Sequence, residues 1–430
     1  MSLARFLKDR RGGVTPMIAM LAVPLMAAVG AAVDYSHAAA ARSALQNAVD
    51  ATTLAMSKDA AKITQAQLTT NANAYFRALF TRTDVQDITV SVAYSSETGS
   101  QVVTTASGNV TPYFVNLLGW STIPISATAT TEWGNKRLRV ALALDVTGSM
   151  ASDGKMPALK TAAKNLIGSL KGASVTDGDI YVSIIPFSKD VNVGTGNVAA
   201  EWIDWSEWED KNGTCSENKY KSRDTCNQAG KTWTVKARSV WNGCVTDRDQ
   251  NYDVSNTTPT TGGSLFPAEQ FSSCPAPMMG LSYDWAALTA KIDTFSPAGA
   301  TNQPIGLAWG WQSLTEGAPL NAPPLDSKYK YEKIVILMSD GLNTQNRWYG
   351  NGSGVSTSVD NRMEKVCVNA KAAGITIYSI QVNTGGDPTS TVMKNCASDI
   401  TKFFMLTTAD QMITTFEQIG TQLSQLHLSK

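Results

Sequence analysis

Residues 137–150 read RLRVALALDVTGSM, and the fold follows from how that string breaks. From Leu138 to Leu144 every residue except Arg139 is Leu, Val or Ala, and the run ends at Asp145 in a short polar turn. A continuous apolar run of this length is the pattern of a strand buried on both faces in a parallel sheet. The carboxyl end of such a strand is where ligands bind in open α/β folds. In the turn, Asp145, Thr147 and Ser149 occupy alternate positions, so a tight loop can aim three oxygens at one point. Hard oxygen donors suit Mg²⁺ or Ca²⁺.

Two later stretches extend the pattern. PAGATNQPIGLAWGW (297–311) sets Thr301 in a Gly/Pro loop ahead of a helix, and EKIVILMSDGLNT (332–344) is a second apolar strand ending in an acid, Asp340. Strand-acid, loop-Thr and strand-acid in that order resemble the metal-ion-dependent adhesion site (MIDAS) of von Willebrand factor A-type (vWA) domains. The family pattern is Asp-x-Ser-x-Ser, then Thr, then Asp, and Thr147 here replaces the first Ser, keeping the hydroxyl and adding a methyl. The resemblance implies a doubly wound α/β domain with Asp145, Thr147, Ser149, Thr301 and Asp340 holding a divalent cation, Mg²⁺ or Ca²⁺, at the sheet edge. Two carboxylates and three hydroxyls leave such an ion with residual positive charge, which an acidic residue of a protein partner could complete. The plainer alternative is that both acids cap helices and the hydroxyls are ordinary turn residues.

At 430 residues the chain is long enough for two or three domains. Lys+Arg and Asp+Glu balance at 36 each, so charge does not favour nucleic acid as a partner. Only two histidines are present, His37 and His427, which argues against imidazole acid/base catalysis. The chain therefore reads as a binding protein and not an enzyme.

Arg5, Lys8, Arg10 and Arg11 precede an uncharged run from Gly12 to Val33, which as a helix would span roughly 33 Å. The basic flank and Asp34 on the far side place the N-terminus in the cytoplasm of a single-pass inner-membrane protein, with the C-terminal bulk in the periplasm. A cleaved signal peptide is the rival reading, since Ala38 to Ala41 offers small residues to a peptidase. The helical pattern, however, continues past the apolar run through Leu45, Ala48, Ala51 and Ala55.

This opening, RRGGVTPMIAMLAVPLMAAVGAAVDYSHAAAARSALQNAVDATTLA (10–55), resembles the N-terminal segment of TadG-like proteins of tight-adherence (Tad/Flp) pilus assembly systems. MSDGLNT, KAAGITIYSI and the closing helix ending LHLSK resemble that family too. The resemblance implies an Arg-flanked anchor carrying an exported region with a vWA domain. Val146 stands where Asn is common in that family.

Four segments are expected: a tail and anchor (1–34), a small α+β spacer (35–133), a vWA domain (134–199 and 281–430), and a Cys/Trp-rich insertion (200–280) within it. In the spacer, QAQLTTNANAYFRALF reads as a helix, and DITVSVAY, QVVTTASGNV and IPISATATTE read as period-2 strands. In the vWA domain, PALKTAAKNLIGSLK turns Leu159, Ala162, Ala163, Leu166, Ile167 and Leu170 to one face and Lys160, Lys164 and Lys171 to water. IYVSIIPF, ITIYSIQV and KFFML supply further strands between helices, the pattern of a mainly parallel sheet covered on both faces.

The insertion is different in kind. Residues 201–244 hold five tryptophans and three cysteines among polar and turn residues, with Cys274 following. Such a segment reads as one that buries little core and is stapled by disulfides in an oxidising compartment. We expect Cys215 with Cys226 and Cys244 with Cys274; a Cys₄ zinc site is the alternative, although no pair has the usual short spacing. Cys367 and Cys396 flank the strand ITIYSIQV and could pair, or remain two buried thiols. The tryptophans read first as the insertion's own core, and second, with Trp348 and Tyr349, as an aromatic contact surface near the cation.

Three functions follow from these readings: a membrane-anchored assembly or adhesion protein working through a cation, a scaffold whose site binds no metal, and a phosphatase using Asp145 as acceptor. The last needs an Asp two residues on, where Thr147 stands.

Overall fold

The computed structural model describes residues 14–96, 100–133 and 136–428. The basic tail, with Arg5, Lys8, Arg10 and Arg11, lies outside the described residues. The chain separates into two compact units, one up to Asn135 and one from Lys136 to Ser429.

The first unit starts with α1, Val14–Ser57, and it is the one helix among the described residues long and apolar enough to cross a membrane. Its first half leaves Met17, Met20, Leu21, Val23, Leu25 and Met26 exposed, whereas Ala41, Leu45, Ala48 and Val49 are buried. These last four fall on one helical face, and they pack on the sheet β1 (Val85–Ser95), β2 (Ser100–Val110) and β3 (Ile123–Trp133). The sheet is antiparallel in the order β1-β2-β3. Helix α2, Gln65–Leu79, starts at a capping box of Thr64 and Gln67 and turns Leu68, Ala72 and Phe76 inward.

In the second unit a sheet of eight strands is sandwiched between helices. Its parallel centre is β5 (Ile180–Phe187), β4 (Lys136–Asp145), β9 (Lys330–Ser339), β10 (Ile375–Val382) and β11 (Phe403–Leu406), in that order. Beyond β5 the short antiparallel strands β6 (Val191–Asn192) and β7 (Cys244–Val245) extend it, and β8 (Met279–Ser282) also pairs with β5. Residues 140–144 are buried on both faces, as strands between two helical layers must be. Arg139 is buried too, with its guanidinium carbon 4.1 Å from the Tyr181 ring centroid.

One helical layer holds α3 (Lys155–Ala173), α4 (Trp285–Asp293) and α7 (Gln411–Leu428). The other holds α5 (Gln303–Ser313) and α6 (Thr357–Ala372). Helix α5 lies close on the sheet because Gly306 faces the Phe187 ring, where a Cβ would come within 2.4 Å of it. Lys160 and Lys164 lie on the outer side of α3, where both amino groups reach the surface residue Asp293.

The insertion corrects the expectation of a segment with little core. Trp205, Trp208 and Trp241 are buried, Trp205 edge-on to both of the others, in a cluster continuous with Val191, Trp309 and Phe187 of the sheet layer. Its Cys244 and Val245 even pair with β6 as part of the main sheet. Apolar rings can bury against a ready-made surface, so the segment needs no independent core. Three disulfides join Cys215 with Cys226, Cys244 with Cys274 and Cys367 with Cys396.

Candidate metal centre

The parallel register sets Leu144 beside Met338, which brings the next residues, Asp145 and Ser339, level at the carboxyl edge, with Asp340 one step beyond. Asp145 is fully buried, and Asp340 is 6% exposed. The backbone N–H of Thr147 donates to Asp145 Oδ1 at 2.8 Å, turning the chain sharply after the strand. The Ser339 hydroxyl donates to Asp145 Oδ2 at 2.5 Å. Ser149 Oγ lies 3.0 Å from Thr147 Oγ1 and donates to Asp340 Oδ1 at 2.7 Å.

Thr301 reaches the same place from the loop before α5. The N–H of Gly148 donates to the Gly299 carbonyl at 2.9 Å, tying that loop to the turn after β4. The N–H of Thr301 is held by Thr344 Oγ1 at 2.9 Å, and its carbonyl accepts from the backbone of Thr344 and Gln345. A Cβ on Gly341 would lie 3.8 Å from both Ser149 Oγ and Thr301 Oγ1, so both hydroxyls close on one bare stretch of backbone. All five residues therefore gather at one end of β4 and β9, with Asp145, Thr147, Ser149 and Asp340 in one hydrogen-bonded chain.

Electrostatically the cluster sets two buried carboxylates close together. Burial, and after it the charge of Asp340, pushes the Asp145 carboxyl up to about 7, against the hydrogen bonds from Ser339 and Thr147. One side chain that sequence reasoning missed answers this charge: Lys155, itself buried, puts Nζ 2.5 Å from Asp340 Oδ2. It sits in the first turn of α3 and reads in sequence as an ordinary helix-surface lysine.

A second buried polar group adjoins Thr301. Asn302 Nδ2 donates to the Lys189 carbonyl at 3.0 Å and to Asp247 Oδ2 at 2.9 Å. Burial pushes Asp247 up to about 6. These contacts link the Thr301 loop to the insertion, and no spacing in the sequence announces them.

Among the described residues no group of three or more His, Cys, Asp or Glu is placed to hold a metal. A cation here would depend on two carboxylates and hydroxyls, all hard donors of the kind Mg²⁺ and Ca²⁺ take. The donor set fits such an ion, which would have to compete with Lys155 for Asp340.

A helix-sheet-helix sandwich whose central parallel strands end in this cluster is a vWA-like fold. Residues 12–58 match the sequence profile of the Tad family, described as Flp pilus-assembly TadE/G-like. No curated protein matches the chain. Among solved structures it is similar to the pilus adhesin SpaC from Lactobacillus rhamnosus GG, at 14% identity and TM-score 0.38, over 79% of this chain and 35% of that one. It is also similar to the vWF domain of the type V pili tip protein Mfa5 from Porphyromonas gingivalis, at 10% identity and TM-score 0.37, over 68% of this chain and 97% of that one. The third is proximal thread matrix protein 1 from the mussel byssus, in a form with a zinc-occupied MIDAS motif, at 13% identity and TM-score 0.33, over 68% of this chain and 46% of that one. The chain thus spans about a third of the length of SpaC.

Proposed function

We propose that this chain is a membrane-anchored, exported component of Tad/Flp-type pilus assembly or adhesion, whose vWA domain binds a protein partner through a divalent cation. Asp145, Thr147, Ser149, Thr301 and Asp340 hold the ion, Mg²⁺ or Ca²⁺, and an acidic residue of the partner, a pilus component or surface ligand, completes its coordination. The observation that carries the reading is the convergence of those five side chains around two buried carboxylates at the sheet edge. The Tad match at the N-terminus supports the pilus context, and α1 supports single-pass anchoring in the inner membrane with the bulk in the periplasm. Three disulfides fit an oxidising compartment. By sequence, 1–34 is tail and anchor, 35–133 the spacer, 134–199 and 281–430 the vWA body, and 200–280 its insertion.

The test is co-purification of the full chain with its partners, with Mg²⁺, with chelator, and as Asp340→Ala. Partners retained only by the metal-loaded native chain support the reading; partners retained equally in all three remove the cation from binding. A second reading is favoured by Lys155: its ammonium already answers Asp340, so the domain could be a scaffold needing no metal. In that case Mg²⁺ leaves the thermal stability of the native chain unchanged.

A further inference from the structure

Residues 111–120, TPYFVNLLGW, join β2 to β3 and have no part in the metal centre. Tyr113 is 63% exposed, Phe114 48% and Trp120 70%, three large aromatics within eight residues. Single exposed aromatics are ordinary on a soluble surface. A cluster of them held in a fixed place is not.

The place is set by Asp34. This carboxylate is 1% exposed and accepts the backbone N–H groups of Tyr113 at 2.7 Å, Phe114 at 2.8 Å and Val115 at 2.7 Å. Tyr113 also packs on the His37 ring, with centroids 4.8 Å apart. The loop is thereby fastened to α1 at the end of its apolar run. Phe114 then reaches back along the helix, for a Cβ added to Gly30 would lie 2.7 Å from Phe114 Cβ. Gly30 is four residues before Asp34, about 6 Å toward the middle of the apolar run at about 1.5 Å per residue.

Between the loop and α1 lies an open groove of about 510 Å³. Leu25, Met26, Val29, Gly30, Phe114 and Val115 line it. No side chain in that lining can donate a hydrogen bond, and the Met26 thioether is its one weak acceptor, so the groove suits a hydrocarbon occupant. The groove is continuous with the exposed apolar face of Met17, Met20, Leu21 and Val23. Around a membrane span, that face is covered by acyl chains.

We propose that residues 111–120 are seated in the periplasmic leaflet, with Tyr113 and Trp120 at the headgroup level and a phospholipid acyl chain filling the groove between Phe114 and α1. Aromatic side chains favour that level because one end is apolar and the other polar. The loop gives the spacer a second hold on the bilayer besides the helix itself. The inference rests on the reading of α1 as a retained span, and the experiment separates the two.

The full chain is reconstituted in phosphatidylethanolamine/phosphatidylglycerol vesicles, with a single new thiol carrying an environment-sensitive fluorophore. All six native cysteines are paired, so only the introduced thiol reacts. Trp120→Cys reports the loop, and Val23→Cys, also exposed, reports the helix. Lipids brominated high on the acyl chain should quench the position-120 label by about twofold or more, the depth expected of interfacial side chains. Deeper bromines should quench the position-23 label. Quenching at 23 with a water-like, unquenched signal at 120 overturns the loop proposal and leaves the anchor intact. Absence of quenching at both overturns the anchor, and the loop proposal with it.

Discussion

Lys155→Met tests the electrostatics of the metal centre most sharply. In the native chain the Lys155 ammonium is buried and 2.5 Å from Asp340 Oδ2, with the buried Asp145 close enough for each carboxylate to feel the other. Removing one partner of a buried ion pair costs about 3–5 kcal/mol. For a unit of this size that is a fall in Tm of roughly 6–20 °C, at about 2–4 °C per kcal/mol. A dication bound to the same carboxylate would sit about 4 Å from Nζ, and at an effective dielectric near 20 the two repel by about 8 kcal/mol. Swinging the lysine into water relieves that repulsion but gives up the Asp340 pair. Either way the native chain is handicapped, and the variant should bind Mg²⁺ at least about tenfold more tightly, a gain of about 1.4 kcal/mol or more. The assay is thermal unfolding of both chains in EDTA and over a Mg²⁺ series. Expected are a lower Tm for the variant in EDTA and a steeper rise with Mg²⁺. A variant as stable as the native chain in EDTA, or one with the same Mg²⁺ response, refutes the reasoning.

Asp247→Asn should stabilise the chain in a pH-dependent way. The native carboxyl, pushed up to about 6 by burial, keeps its proton after the unfolded chain has lost its own near 3.8, so native stability falls as pH rises between those values. The variant lacks that fall: it gains up to about 3 kcal/mol at pH 7 and nothing at pH 3.5, and denaturant melts at the two pH values would show it. Gly306→Ala should cost about 1–3 kcal/mol, since the new methyl lands within 2.4 Å of the Phe187 ring; an unchanged urea midpoint would contradict the close packing of α5. Asp340→Ala should lose cation-dependent partners in co-purification while keeping its three disulfides, checked by the absence of free thiol.

What was legible in the sequence follows from the range of the interactions. The apolar run 138–144 and its break at Asp145 are local, and so is the run before Asp340; their pairing followed because parallel strands of one sheet end at one edge. The alternate oxygens of Asp145, Thr147 and Ser149 were local as well. Lys155 was not legible, because its partner is 185 residues away and its position in the first turn of an amphipathic helix carries no mark of burial. Asp34 was readable only as the charge that ends an apolar run, yet it organises backbone 79 to 81 residues further on. The insertion misled for a related reason. Its composition lacks a core of its own, and nothing local reveals that Trp205, Trp208 and Trp241 join the cluster that also buries Trp309 of α5.

The central claim is that one divalent ion binds at the carboxyl edge of β4 and β9. Its most direct test is a crystal of the metal-soaked chain, with Mn²⁺ standing in for Mg²⁺ and located by anomalous scattering. The account predicts one strong peak enclosed by Asp145, Thr147, Ser149, Thr301 and Asp340, with Lys155 drawn away from Asp340. A map with Lys155 still on Asp340 and no peak among those five side chains would contradict it.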